Sequence, residues 1–266
     1  MTTAATRGTA LVTGASVGIG RDLARLLAAD GYSLVLVARD VAALKAVANE
    51  LQSDRVKVQV IPADLSDPAS PQRIFDELND SGTHIDILIN NAGFGWHGLY
   101  ANANIERELA MIQVNISALA HLTRLFLPGM IAKCDGRILN VASVAGFLPG
   151  PFVATYYATK AFVVSFSQAI SAELEGTGVT VTSLCPGPTA TEFHKRAKVA
   201  NTPVFQANLM TSQAVAIAGY HGMMKGKRIV VPGLKNKLLT VAVRLFPRGV
   251  ILKASKRLNA ARPSIE

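Results

Sequence analysis

The sequence predicts a doubly wound α/β sandwich, one parallel sheet of seven strands with helices on both faces. Short β-branched runs alternate with longer segments whose apolar residues recur at helical spacing, through most of the chain. No linker, repeat or low-complexity tract breaks that alternation before about Pro232. Parallel strands need crossover connections, and these are nearly always right-handed, so the order winds helices onto both sheet faces. At 266 residues, 50% hydrophobic and 17% charged, the chain is long enough to enclose a large core, which excludes disordered and fibrous classes.

The first strand is expected at Ala10 to Thr13, and a glycine-rich turn leads from it into a helix over Ile19 to Asp30. Ser33 to Val37 forms the second strand, and Asp40 is placed to cap the helix over Val41 to Gln52. Val56 to Ile61 is the third strand, followed by a helix over Ser70 to Asn79. The fourth, Ile85 to Asn90, precedes the longest helical pattern, Ile105 to Ala132. Strands at Arg137 to Ala142 and Val179 to Cys185 bracket a helix over Thr155 to Glu175. Pro186 to Gln206 has no clean period and is long for a connection, which suggests a lid over a site. A helix over Ser212 to Met224 and a strand at Arg228 to Val231 complete one domain over 1–232, with its lid at about 186–210. Residues 233–266 then read as a basic amphipathic helical extension.

Cys134 and Cys185 are too few for a disulfide framework or thiolate metal cluster, and both read as interior. No metal site is expected. No signal-peptide pattern precedes Thr9, and no run of about 18 uninterrupted apolar residues occurs. The expectation is a cytoplasmic protein, at most peripheral to a membrane. The net charge of +9 is unevenly spread: residues 1–192 carry 13 Lys and Arg against 17 Asp and Glu, whereas 193–266 carry 14 against Glu266 alone. Such a field attracts anionic lipid, nucleic acid or a phosphate-bearing substrate such as a coenzyme A thioester, or simply solvates a face.

Thr13-Gly14-Ala15-Ser16-Val17-Gly18-Ile19-Gly20 stands between strand and helix, the context a dinucleotide site requires. Small residues let the backbone approach a pyrophosphate, and the helix N-terminus offers unpaired N–H groups to its charge. The second strand ends Val37-Ala38-Arg39, where an acid would bind the ribose of NAD and an arginine accommodates the 2′-phosphate of NADP. Ala38 in the acid's place favours NADP(H) and argues against a methyltransferase using S-adenosylmethionine.

Asn90-Asn91-Ala92-Gly93 closes the fourth strand, Ser143 follows the fifth, and Tyr156-Tyr157-Ala158-Thr159-Lys160 opens the next helix. With Gly14, Gly18 and Gly20 spaced GxxxGxG, this set resembles the short-chain dehydrogenase/reductase family over roughly residues 9–192, and the resemblance implies a Rossmann-type fold. It implies an active site of Asn115, Ser143, Tyr156 and Lys160, in which Tyr156 protonates a carbonyl oxygen, Ser143 holds that oxygen, Lys160 holds the nicotinamide ribose and Asn115 holds a relay water. It further implies cofactor contacts at Ser16, Ile19, Arg39, Asp64, Leu65, Asn91, Ala92, Gly93, Pro186, Gly187, Thr189 and Thr191, beside the glycines, Tyr156 and Lys160. Pro188 departs from the aliphatic residue usual at its position, and it brings no N–H.

Physically, Tyr156 and Lys160 are four apart and share a helix face. A free tyrosine titrates near about 10, so a neighbouring ammonium is expected to lower it toward a working range. Tyr157 has Ala161 four residues on, no cationic partner, and is assigned to packing. The loops beyond the strand ends are apolar and aromatic, with Phe94, Trp96, Phe147, Phe152 and Phe193 as substrate-contact candidates and Leu99, Leu148 and Phe205 beside them. His97 and His194 are read as surface or packing residues.

Past Pro232, Leu238, Val241, Ala242 and Leu245 fall on one side of a helical wheel and Lys237 and Arg244 on another. Such a helix lies on an anionic membrane or closes against the body beside the substrate entrance. Nucleic acid is excluded, because no aromatic residues interleave the basic ones for base stacking. The reading is an NADPH-dependent carbonyl reductase, reversible as an alcohol dehydrogenase, on a hydrophobic ketone of 3-oxoacyl or steroid-like kind. A homodimer or homotetramer through the two long helices is the family's implication, and a non-catalytic NADP(H)-binding sensor is the alternative.

Overall fold

A computed structural model describes residues 7–192, 197, 202–203 and 209–260. Seven strands form one wholly parallel sheet: β1 Thr9–Thr13, β2 Ser33–Ala38, β3 Val58–Pro62, β4 Ile87–Asn90, β5 Gly136–Val141, β6 Val179–Leu184 and, at its far edge, β9 Ile229–Val230. Their order is β3-β2-β1-β4-β5-β6-β9. The chain therefore winds outward from β1 in one direction, then returns to its other side at β4 and winds the opposite way. The crevice beyond the carboxyl ends of β1 and β4 is the topological switch point, where open α/β sheets bind ligands.

The sheet is buried on both faces, and the strand residues alternate between two cores. Ala10, Val12, Leu34, Leu36, Ile87 and Ile89 point to one, packed under α1 (Gly18–Ala29), α2 (Val41–Leu51) and α7 (Ser212–Met224). Leu11, Val35, Val37 and Leu88 point to the other, under α3 (Ser70–Asp80), α5 (Leu119–Ala132) and α6 (Ala154–Glu173). Each fully buried Leu or Ile contributes on the order of 1.5–3 kcal/mol, which holds the strand register because a slip of one residue would exchange the two faces.

Several expected elements differ in detail. Val56 closes a turn with Ser53 through paired backbone bonds of 3.1 and 3.3 Å, so β3 starts two residues later than the apolar run. The long helical pattern is α4 (Ile105–Ile112), a π turn at Gln113–Ala118 and then α5. By length and composition, 105–132 is apolar enough to cross a membrane, but here its apolar face is spent on the sheet. Cys134 is exposed in the turn after α5 with φ 51°, not interior; Cys185 is buried. The two ends of the stretch expected to form a lid pair in a two-stranded parallel ladder, β7 (Thr189–Ala190) on β8 (Met210–Thr211). Two more helices follow β9: α8 (Leu234–Leu245) and α9 (Arg248–Asn259).

A buried polar chain joins the middle strands to the helices. Asn90 Nδ2 donates to Asn140 Oδ1 (2.9 Å) and Thr123 Oγ1 (3.1 Å), and Asn140 Nδ2 donates to Ser167 Oγ (3.0 Å). Replacing Asn140 by Ala removes both of its bonds and strands buried partners. Urea unfolding of Asn140→Ala is expected to show a loss of about 2–4 kcal/mol; a loss below about 0.5 kcal/mol would show the chain to be idle.

Candidate active site

Thr13 and Asn91 stitch the switch point. Thr13 Oγ1 donates to Ile89 O (3.2 Å) and accepts from the backbone N–H groups of Asn91 and Ala92 (both 3.0 Å). Asn91 Nδ2 donates to the carbonyls of Thr13 (3.0 Å) and Gly14 (3.1 Å). Gly14 follows with φ +65°, where a Cβ would lie 2.7 Å from Asn91 Nδ2, and Gly18 has φ +57°. Side chains are thus disfavoured at those two positions of the turn, and Val17 ends it without capping α1 by a side-chain bond. The first N–H groups of α1 are left for an anionic ligand.

A cavity of about 1140 Å³ runs from this turn across the carboxyl edge of the sheet. Gly14, Ser16, Gly18 and Ile19 border its near end, Arg39, Asp64 and Leu65 one side, and Asn91, Ala92 and Gly93 its floor. Ser143, Tyr156 and Lys160 come next, with Pro186, Gly187, Thr189 and Thr191 beyond them. Gly20 stands behind the lining: a Cβ there would meet Gly14 O at 2.4 Å, so its glycine serves the packing of turn on helix. The small residues of the turn, the open helix end and the length of the trough fit a dinucleotide.

At the outer edge, Arg39 Nη1 lies 3.7 Å from Asp64 Oδ2. Burial alone would raise the Asp64 carboxyl; bonds from the Ser66 N–H and hydroxyl, with the Arg39 charge, outweigh it and hold Asp64 below its ordinary value. Asp40, which also borders the cavity, caps α2, accepting from Ala43 N at 3.0 Å. Thr189 Oγ1 donates to Gly187 O (2.8 Å), which fixes the bend after β6.

Tyr156 and Lys160 lie deeper. Ser143 heads the short 3₁₀ turn Val144–Phe147, and its hydroxyl bonds the Tyr156 phenol. Contrary to the expectation of a lowered value, desolvation holds Tyr156 above the usual tyrosine range, and the Ser143 bond only partly offsets it. Lys160 is buried, and its Nζ donates to Val141 O at 2.7 Å and sits 5.8 Å from the Tyr156 ring centre. Burial lowers this lysine to about 8. Asn115 lies within the π turn, off the cavity lining: its Nδ2 donates to Phe94 O (2.9 Å) and Thr159 Oγ1 (3.0 Å), and its Oδ1 accepts from Phe94 N (3.1 Å). Its side chain is a positioning group that clamps the loop after β4 to the helix carrying Tyr156 and Lys160.

The sequence model of the short chain dehydrogenase family matches residues 8–201. The chain belongs to the short-chain dehydrogenase/reductase family. Ketoacyl reductase HetN of Nostoc sp. is 33% identical over 245 residues, 92% of this chain and 81% of its own length. Among solved structures, a short-chain dehydrogenase from Sphingobium yanoikuyae in complex with NADPH is 32% identical, with a TM-score of 0.80 over 97% of this chain and 98% of that one. The bulky-bulky ketone specific alcohol dehydrogenase from Comamonas testosteroni is 29% identical, with a TM-score of 0.76 over 97% and 99%.

This short-chain dehydrogenase/reductase departs from the expected substrate wall. Phe94 and Trp96 border the cavity, and the Arg107 guanidinium stacks 3.8 Å from the Trp96 ring. Phe147 does not border it: the 3₁₀ turn gives Val144, Ala145 and Leu148 to the cavity while Phe147 packs on the cluster of Leu119, Ala142, Val163 and Val164. Phe152 is likewise off the lining, at φ 68° with its ring against His97. Phe193, His194 and Phe205 lie outside the described residues.

The C-terminal pair of helices closes against the body, one of the two placements expected for it, and supplies wall residues that sequence reasoning did not name. Leu239, Val243 and Phe246 of the α8 stretch, with Val250, Ile251 and Leu258 of α9, face the cavity. Ala242 belongs with these inner residues and not with Leu238, Val241 and Leu245, which lie outside. Three bonds tie the pair down: Ser255 Oγ to Pro149 O (2.6 Å), the Tyr157 hydroxyl to Asn259 Oδ1 (3.1 Å), and His97 Nε2 with Asn259 O (2.7 Å). At the inner end Gly187 meets Asn236, where a Cβ would come within 2.5 Å. The sequence signal was there, an amphipathic period after Pro232, but the family pattern that carried the other assignments ends before it.

The buried lysine makes stability depend on pH. Its folded value near 8 lies below the 10.5 of the unfolded chain, so between these the unfolded state binds more protons and stability rises with pH. Below about 8 the cost of the buried ammonium is fully present. Tyr156, raised above 10.0, and Cys185, raised from 9.0 to about 11, act the other way at higher pH. In urea titrations, the stability of Lys160→Met minus that of the wild type is expected to shrink as pH rises from 8 to 10. A pH-independent difference would place the ammonium in water.

Proposed function

We propose that this oxidoreductase is an NADP(H)-dependent carbonyl reductase, reversible as an alcohol dehydrogenase, whose substrate is a hydrophobic ketone or the matching secondary alcohol. The observation that carries the reading is the position of Tyr156 and Ser143 between a dinucleotide trough and an apolar chamber closed by α8 and α9. NADP(H) is favoured over NAD(H) by Arg39, just past the end of β2, with Ala38 where an acid would bind the ribose of NAD; Asp40 is spent on the cap of α2, and Asp64 stands beside Arg39. The Sphingobium relative bound to NADPH supports that choice, and the Comamonas relative, specific for bulky-bulky ketones, supports a large substrate.

When bound, the nicotinamide supplies or accepts the hydride. Gly14, Gly18 and the α1 N-terminus would hold its pyrophosphate, Arg39 its 2′-phosphate, and Lys160 the ribose next to the reacting ring. Ser143, whose hydroxyl donates to Pro186 O at 3.3 Å, would turn to the carbonyl oxygen beside the Tyr156 phenol, and Tyr156 would deliver the proton that completes the alcohol. A phenol held above 10.0 stays protonated at neutral pH, which suits a general acid in the reductive direction. Oxidation needs the phenolate, so the cation of Lys160 and the charge of the oxidised ring must then lower it. A dimer belongs to the same proposal, through the face where Ile105, Leu109, Ile112 and Phe162 are exposed on α4 and α6. So does a cytoplasmic setting, in keeping with the unpaired thiols of Cys134 and Cys185.

The test is oxidation of NADPH and NADH across ketones from small diketones to long-chain 3-oxoacyl thioesters. Tyr156→Phe is expected to lower kcat by about 10²–10⁴ while NADPH still binds. Tight NADPH binding with no turnover on any ketone would favour a sensor instead. Arg39→Asp is expected to weaken NADPH by at least about tenfold and to leave NADH nearly unchanged, since a charge-assisted phosphate contact is lost. Equal weakening of both would refute the NADP assignment.

A further inference from the structure

The helices α8 and α9 bear an outer surface that the reductase reading does not use. Half of the exposed large hydrophobic side chains among the described residues lie between 234 and 258, about a tenth of the chain. Scattered single apolar residues are ordinary on a surface, but a contiguous set marks an interaction site. On α8 the set is a stripe at i, i+4, i+7 and i+11: Leu234 is 72% exposed, Leu238 61%, Val241 59% and Leu245 79%. The opposite side of the same helix already packs Leu239, Val243 and the following Phe246 toward the cavity, so the outer leucines are not the core face of a misplaced helix.

Charge says what covers the stripe. Residues 233–260 contain seven Lys and Arg and no acid. Among the described residues none of those seven is in an ion pair. Lys237 and Arg244 flank the stripe on α8, and Lys253, Lys256 and Arg257 are exposed on α9, whose buried side is Ser255 and Asn259. A second copy of the chain would set these seven charges against the same seven. An anionic bilayer offers both an apolar interior for the leucines and phosphates for the cations. Phe246, Val250 and Leu258 are at once exposed and part of the cavity wall, so the rim of the substrate chamber lies on this same surface.

We propose that α8 and α9 dock the protein on an anionic lipid bilayer, with Leu234, Leu238, Val241 and Leu245 in the acyl boundary and the cavity rim turned toward the lipid. A lipid-dissolved ketone then reaches Tyr156 without crossing water, a consequence that rests on the reductase reading while the docking itself does not.

The experiment is flotation of the full chain with vesicles of phosphatidylcholine containing about one third phosphatidylglycerol, against vesicles of phosphatidylcholine alone, at low and high salt. Binding is expected on the anionic vesicles, weaker by at least about tenfold on the neutral ones and reduced by salt. The pair Leu238→Asp with Leu245→Asp, and separately Lys253→Glu with Arg257→Glu, should each lose binding by at least about tenfold at an unchanged urea midpoint. None of these four side chains borders the cavity. No flotation of the wild type with anionic vesicles overturns the proposal. Equal binding to both vesicle types, or binding untouched by either pair, does so too. So does wild type that ignores vesicles but falls to a smaller oligomer in sedimentation when Leu238 and Leu245 are replaced, since the face then joins copies of the chain. Absent ketone turnover with flotation intact counts against the reductase reading alone.

Discussion

The molecule depends on the junction that Thr13 and Asn91 make between the first and fourth strands. A doubly wound sheet places its ligand crevice where the winding reverses, but the crevice is open backbone unless something holds the two strand ends together. Here one threonine hydroxyl and one asparagine amide satisfy five backbone groups at the two strand ends. The same amide fills the space a Cβ on Gly14 or Gly20 would need, so the phosphate-binding turn and the floor of the site are one packed unit. The dinucleotide trough is rigid because it is braced from beneath.

A second clamp sits one strand further on. Asn115 joins the loop after β4 to Thr159, next to Lys160, and Lys160 is itself tied to the last carbonyl of β5. The ammonium sits in a buried place that lowers it, and the tyrosine in one that raises it. Free, the two groups titrate close together; burial moves them apart, and each is held nearer its neutral form than in water. A phenol that resists ionisation and an ammonium that gives up its proton readily form an acid and a relay whose order is set by burial.

Most of the fold was legible because a parallel sheet buried on both faces writes continuous apolar runs, and the helices between them keep a clean period. The trough was legible for a related reason: backbone that must approach a ligand excludes side chains, and glycine at Gly14 and Gly18 is the visible trace. Side-chain direction was not. Phe147 and Phe152 are aromatic residues in the correct loops, yet a 3₁₀ turn and a left-handed residue send their rings elsewhere. The effect of Lys160 on Tyr156 was misjudged because four-residue spacing gives a shared face and says nothing about desolvation. Cys134 was read as interior from its apolar neighbours, although it stands in a turn at a helix end, where neighbours in sequence are not neighbours in space.

The C-terminal helices show how selectivity is layered on this frame. The family match stops at 201, while much of the apolar chamber wall comes from residues after 233. The residues of the family pattern and much of this apolar wall therefore come from different stretches of chain, which meet at few points. One is Gly187 against Asn236, beneath the expected nicotinamide position. Another is the bond from Tyr157 to Asn259, whose donor is the immediate neighbour of Tyr156 and whose ring packs edge-on to it, 6.1 Å between centres. A movement of α9 that broke this bond would reach the reacting tyrosine through one peptide unit and one ring contact. Tyr157, with no cation on its own helix face, is thus the contact between the chamber wall and Tyr156.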